Sequence, residues 1–152
     1  MISLRADPFD AAELLADFSA RAAGAGAIVS FTGLVRVENE GAAVSTLELD
    51  THARLSERAM AAIGRDAAAR FELIDVAIVH RHGVLAPGAT IVFVAAAAAH
   101  RRAAFDAVDY MMDRLKTDAP FWKRERRSDG AHWLEASGSD RAARRRWEME
   151  GR

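Results

Sequence analysis

The chain has 152 residues, 51% of them hydrophobic, and a formal net charge of -1, which fits one domain spanning 1–152 and excludes wholesale disorder. It has no cysteine, which removes disulfides, thiolate nucleophiles and cysteine-bound metals and points to a reduced, cytoplasmic setting. No apolar run approaches the roughly 18 to 20 residues of a membrane span, and MISLRADPFD lacks the pattern of a secretory signal.

Ile2 to Leu4 is expected as a short strand before Pro8. Asp10-Ala-Ala-Glu13 has the form of a capping box, opening a helix with Leu14, Leu15 and Phe18 on its apolar face and Gly24 and Gly26 at its end. Ala27 to Val35 reads as a buried strand, Glu38 to Ala42 as a polar loop and Val44 to Leu49 as a second strand. A second helix is expected from Ser56 to Phe71, with Ala59, Met60, Ile63 and Ala67 at helical spacing. Val76 to His80 is a third strand, Gly83 and Pro87-Gly88 are turns, and Thr90 to Ala97 is a fourth strand. A third helix spans Arg101 to Lys116, with Phe105, Val108, Met112 and Leu115 as its inner stripe. Phe121 to Arg126 and His132 to Glu135 form a hairpin about Asp129-Gly130, and Asp140 to Glu150 a polar last helix. Crossover helices with a late hairpin make the class α+β.

Charge is uneven. The first hundred residues carry 8 basic and 12 acidic groups, the remainder 13 and 10, so a near-zero total hides a basic C-terminal third. That third suits an anionic ligand, nucleic acid or an acidic partner. Of 21 cations only two are lysine, Lys116 and Lys123, both in one short stretch.

Four clusters could carry chemistry. Thr32-Gly-Leu34-Val35-Arg36 ends an apolar strand, where Arg36 is either a ligand contact or an ordinary solvated arginine. His100-Arg101-Arg102 opens the third helix, where adjacent cations oppose the helix dipole, so either an anion binds at its unpaired N–H groups or the arginine side chains simply extend into water. In Phe121 to Arg126, alternation puts Phe121, Lys123 and Glu125 on one face and Trp122, Arg124 and Arg126 on the other. A lysine desolvated beside other cations loses proton affinity and becomes a usable amine. Lys116, closing a helix, also suits the negative end of the dipole. Arg141 to Arg146 reads as a solvated face, with nucleic-acid contact as the alternative. His80 and His82 flank Arg81 without metal-ligand spacing, and no metal is expected. On a continuous helix Arg101 and Lys116 stand about 22 Å apart at ~1.5 Å per residue, so either they serve separate subsites or one pocket takes one end from each of two chains, which would make a homodimer.

FTGLVR (31–36), HRHGVLAPG (80–88), AHRRAAFDA (99–107), LKTDAPFWKRE (115–125) and WLEA (133–136) occur in this order, and together the chain resembles the catalytic, large subunit family of molybdopterin synthase. The resemblance implies an α/β hammerhead fold and conversion of a cyclic pyranopterin monophosphate to molybdopterin, with sulfur delivered by the C-terminal Gly-Gly thiocarboxylate of a small ubiquitin-like subunit. It implies a homodimer of this chain within a heterotetramer, with no cofactor, nucleic acid or membrane. By motif, Lys116 and Lys123 would be catalytic. Leu34, Val35, Arg36, His100, Arg101, Lys116, Lys123, Arg124 and Glu125 would bind substrate. The chain departs from the family pattern at Asp50-Thr51-His52-Ala53, at His82, and at Ser137, where an arginine is common and Arg141 stands nearby. The reading from another class is a basic binding module for nucleic acid or an acidic protein.

Overall fold

The computed structural model describes residues 1–149. Nine strands and four helices follow in the order β1 (Ile2–Arg5), α1 (Ala11–Arg21), β2 (Ala27–Leu34), β3 (Glu38–Asn39), β4 (Ala42–Thr51), α2 (Ala53–Arg70), β5 (Asp75–Arg81), β6 (Gly83–Leu85), β7 (Thr90–Ala98), α3 (Arg101–Thr117), β8 (Phe121–Arg127), β9 (Gly130–Leu134) and α4 (Gly138–Met149). The α+β class and the late hairpin are as expected. Glu150, the expected end of the last helix, lies outside the described residues.

One sheet has the order β1-β5-β7-β2, with β1 parallel to β5 and the other pairs antiparallel. Its central strand β7 is buried on both faces, which is why it reads as an unbroken apolar run. Phe93, Ala95 and Ala97 meet Leu14 and Phe18 of α1, and Ala22 just past its end, on one side. Val92, Val94 and Ala96 face the other way, toward Met60, Ile63 and Ala67 of α2 and Ala107, Val108 and Met111 of α3. The second sheet has the order β3-β4-β8-β9, with β6 also paired to β4, and Val35, Val44, Leu47, Leu49 and Leu85 form its own apolar cluster.

Three local expectations are corrected. The α3 inner stripe is Ala104, Ala107, Val108, Met111 and Leu115, while Phe105 is 58% exposed. Close packing on the sheet selects the small side chains and turns the phenyl ring outward. Glu38 and Asn39 are a short strand, not loop, because they pair with Ala43 and Ala42. Gly83, expected only as a turn, has φ +93 and begins β6, which pairs with Leu47 to Leu49.

The last helix packs on α3. Trp147 is buried with its ring edge-on to Phe71 and Tyr110, and its indole N–H donates to Asp113 Oδ2 at 2.7 Å. Arg144 reaches Asp118 at 3.2 Å, and Arg146 reaches Asp113 at 3.0 Å. Two arginines of the run expected as a solvated face are therefore bound to acids, Asp113 within α3 and Asp118 just past its end. Arg141 is mainly exposed, 3.8 Å from Glu135.

Candidate active site

Strand β8 lies against β4, with Lys123 opposite Leu49 and Glu125 opposite Leu47. Alternation puts Phe121, Lys123 and Glu125 on the inner face, while Trp122 and Arg126 are exposed on the outer one. Phe121 packs against the main core and carries the imidazole of His80 on its ring, centroids 4.0 Å apart. The strand therefore delivers Lys123 beside an aromatic wall.

Lys116 arrives from the last turn of α3. Its ammonium donates to Asp140 Oδ1 at 2.9 Å, and half of its side chain is exposed. Asp140 belongs to the first turn of α4. Its other oxygen accepts the Ser137 N–H at 2.9 Å and the Ser137 hydroxyl at 2.7 Å, while its own N–H donates to Ser137 Oγ at 3.1 Å. Burial works against this carboxylate, but the Lys116 ammonium and the Ser137 hydrogen bonds outweigh it and hold the group at about 2.

Burial pushes the Lys123 ammonium below the ordinary lysine range, the charge of Lys116 adds to that, and Asp140 partly offsets it. Lys116, Lys123 and Asp140 thus share one electrostatic neighbourhood. His80 belongs to it as well. Burial takes its imidazole down to about 4 against a contact with the Arg81 carbonyl, and the charges of Lys123 and His82 push the same way as burial. Its Nδ1 lies 2.7 Å from Arg81 O, and since a carbonyl only accepts, Nδ1 carries the proton and Nε2 the lone pair.

The remaining candidates fall into two further groups. Glu125 is buried and accepts from Asn39 Nδ2 at 2.9 Å and Arg127 Nε at 2.8 Å. Asn39 Oδ1 in turn accepts from Arg36 at 3.4 Å, so one amide links exposed Arg36 to β8. Arg124 points to the opposite face, where Glu48 binds it and its guanidinium lies 5.2 Å over the Trp133 ring. Leu34 is exposed, whereas the Val35 side chain is packed in the second sheet's cluster.

His100 and Arg101 are exposed at the opening of α3, and His100 makes no side-chain capping bond. Because α3 runs unbroken from Arg101 to Thr117, these two stand a full helix length from Lys116. One chain therefore unites the two lysines but leaves the His100-Arg101 pair at the other end.

Sequence reasoning missed Asp140, Asn39 and the nearness of His80 to Lys123. The signal for Asp140 was Ser137-Gly-Ser-Asp140, a reciprocal helix-start pattern hidden in an arginine-rich stretch. Among the described residues no group of three or more His, Cys, Asp or Glu could hold a metal, and no helix is long and apolar enough to cross a membrane.

A family model described as MoaE protein matches residues 4–118. The chain belongs to the MoaE protein family. Relatives of this MoaE chain include the molybdopterin synthase catalytic subunit of Caulobacter vibrioides, 47% identical over 150 residues and covering 99% of both chains. A solved MoaE structure from Burkholderia ambifaria, described as a molybdopterin biosynthesis protein, superposes with a TM-score of 0.82 at 41% identity over 97% of each chain. A crystal structure of molybdopterin synthase from Staphylococcus aureus gives 0.78 at 30% identity, covering 86% of this chain and 94% of that one. Membership of the MoaE family makes this an enzyme subunit of molybdenum cofactor biosynthesis.

Proposed function

We propose that this chain is the single-domain, cytoplasmic catalytic subunit of a molybdopterin synthase, acting as a sulfurtransferase. It converts a cyclic pyranopterin monophosphate to molybdopterin by taking two sulfurs, one from each of two successive C-terminal thiocarboxylates of a small ubiquitin-like subunit, each of which leaves as the carboxylate. The observation that carries this reading is the meeting of Lys116 and Lys123, one charged and paired to Asp140, the other desolvated. Two amines in different surroundings, one ion-paired and one desolvated, suit a reaction that needs both a fixed cation and an amine able to exchange its proton. Arginine supplies only the first.

In this reading the Lys116 ammonium stabilises the oxygen of the thiocarboxylate carbonyl as its bond to sulfur breaks. Lys123 moves a proton at the pterin. Arg36, His100 and Arg101 hold the phosphate, and Arg124 and Glu125 fix the strand that presents Lys123. The separation of Arg101 from Lys116 supports a homodimer in which each pocket takes the His100-Arg101 end from the partner chain. The name catalytic subunit, borne by the relatives, supports a second subunit, which in this reading is the sulfur carrier. Arg144 and Arg146 are engaged by acids, which weighs against a nucleic-acid module.

The test is reconstitution of purified chain, thiocarboxylated small subunit and cyclic pterin monophosphate, followed by detection of the dithiolene product. Product is expected, and its absence with a competent partner overturns the reading. Mixing Arg101→Ala and Lys116→Ala chains is expected to recover activity in mixed dimers, and no recovery rejects the shared pocket.

A further inference from the structure

Asp140 is the acid that both lysines feel, and neither the motif resemblance nor the relatives' names assign it a role. Its carboxylate is fixed from three directions, by the Lys116 ammonium and by the N–H and hydroxyl of Ser137. A lysine head is otherwise free on four rotatable bonds, and ordering it opposes the reaction entropically. An acceptor that is itself immobilised removes that freedom before substrate arrives.

We propose that Asp140 is a positioning residue for the sulfur-transfer reaction, anchoring the Lys116 ammonium to the start of α4 so that one of its N–H groups stays on Asp140 while the others meet the anionic tail of the sulfur carrier. This rests on the function proposed above. Three charged groups interact here, Lys116 from α3, Lys123 from β8 and Asp140 from α4, and His80 at the end of β5 feels Lys123 and, from the segment after it, His82. A thiocarboxylate is an anion seeking the same ammonium, so the tail and Asp140 share the charge of Lys116. Removing the carboxylate therefore has two opposed effects. The tail binds more readily, while Lys116 loses its alignment and the chemical step slows.

The experiment compares Asp140→Asn, Asp140→Glu and Ser137→Ala in the reconstituted complex, with thermal midpoints measured for each. Asp140→Asn is expected to lower kcat about tenfold without raising KM for the thiocarboxylated partner. Asp140→Glu is expected to recover most of the loss, and Ser137→Ala, which keeps the charge but removes the hydroxyl support, to cost less than Asp140→Asn. A kcat within twofold of the parent overturns the proposal, as does an equal loss in Asp140→Asn and Ser137→Ala, which would mark a helix-cap effect alone. The chain has only two lysines, so labelling with 13Cε-lysine gives two side-chain resonances that read the site without turnover. Loss of the carboxylate is expected to move the Lys123 titration to lower pH, and an unmoved titration also rejects the proposal. If the parent complex forms no product while that titration moves, the proposed function fails and the anchoring stands.

Discussion

The imidazole of His80 lies flat on the ring of Phe121, with centroids 4.0 Å and planes 15° apart, and this stack forms the wall beside Lys123. The histidine is buried and held neutral down to about 4. An unfolded chain would take up that proton near 6.5, so acid favours the unfolded state. Stability contributed by this site is complete above pH 6.5 and is lost as pH falls toward 4. The limit is about 3 kcal/mol, from ~1.4 kcal/mol for each pH unit separating the folded and unfolded titrations. Urea titrations across that interval are expected to show the decline, and His80→Phe is expected to flatten it. An equally steep decline in that variant would show that other groups cause it.

Lys123→Arg keeps the positive charge but removes an amine that can release its proton. Single-turnover dithiolene formation is expected to fall by about a hundredfold or more, in the range lost with a general acid or base. For the parent chain, the acid limb of the rate profile should lie below the ordinary lysine range, because burial and Lys116 both destabilise the Lys123 ammonium. Near-normal turnover by the arginine variant would remove Lys123 from proton transfer.

Trp147 ties α4 to the rest of the molecule, its ring meeting Phe71 and Tyr110 and its N–H meeting Asp113. Trp147→Ala is expected to cost about 3 to 5 kcal/mol in equilibrium urea unfolding. Because α4 carries Asp140, the same variant is also expected to lower activity under conditions where it remains folded. A loss below about 1 kcal/mol would show that α4 docks without its indole.

Gly26 is fixed by space. A Cβ added there would lie 2.2 Å from the Ala99 carbonyl oxygen, a backbone atom that cannot swing aside. Gly26→Ala is expected to destabilise by about 2 kcal/mol or more, as overpacking does, measured as a fall in thermal midpoint. Gly138→Ala, with nothing within 4 Å, is the control and should change little.

The helices and main strands were legible where periodicity and punctuation agree. Asp10 caps α1 as its spacing implies, its Oδ1 accepting from Ala12 N at 2.7 Å, and Asp129-Gly130 closes the β8–β9 hairpin. Alternation along β8 correctly separated Lys123 from Arg124. Failures came where long-range context decides. Phe105 looked like core because it is large, yet the sheet admits Ala104 and Ala107 instead. The pair Glu38–Asn39 carries no strand signal of its own, and its place depends on β4 and on the bond from Asn39 to Glu125. Asp140 could not be tied to Lys116 from spacing, since the chain between them must first form the whole β8–β9 hairpin.

The alanine run of β7 has a mechanical meaning. Ala95, Ala96 and Ala97 are fully buried and alternate between the α1 face and the α2–α3 face, so they set how close each helix layer approaches the sheet. Each is in effect a shim one methyl thick. Thickening the one at 96 would lift the layer containing α3, and with it the helix end that presents Lys116. The small residues deep in the sheet thus calibrate the distance between two amines that they never touch.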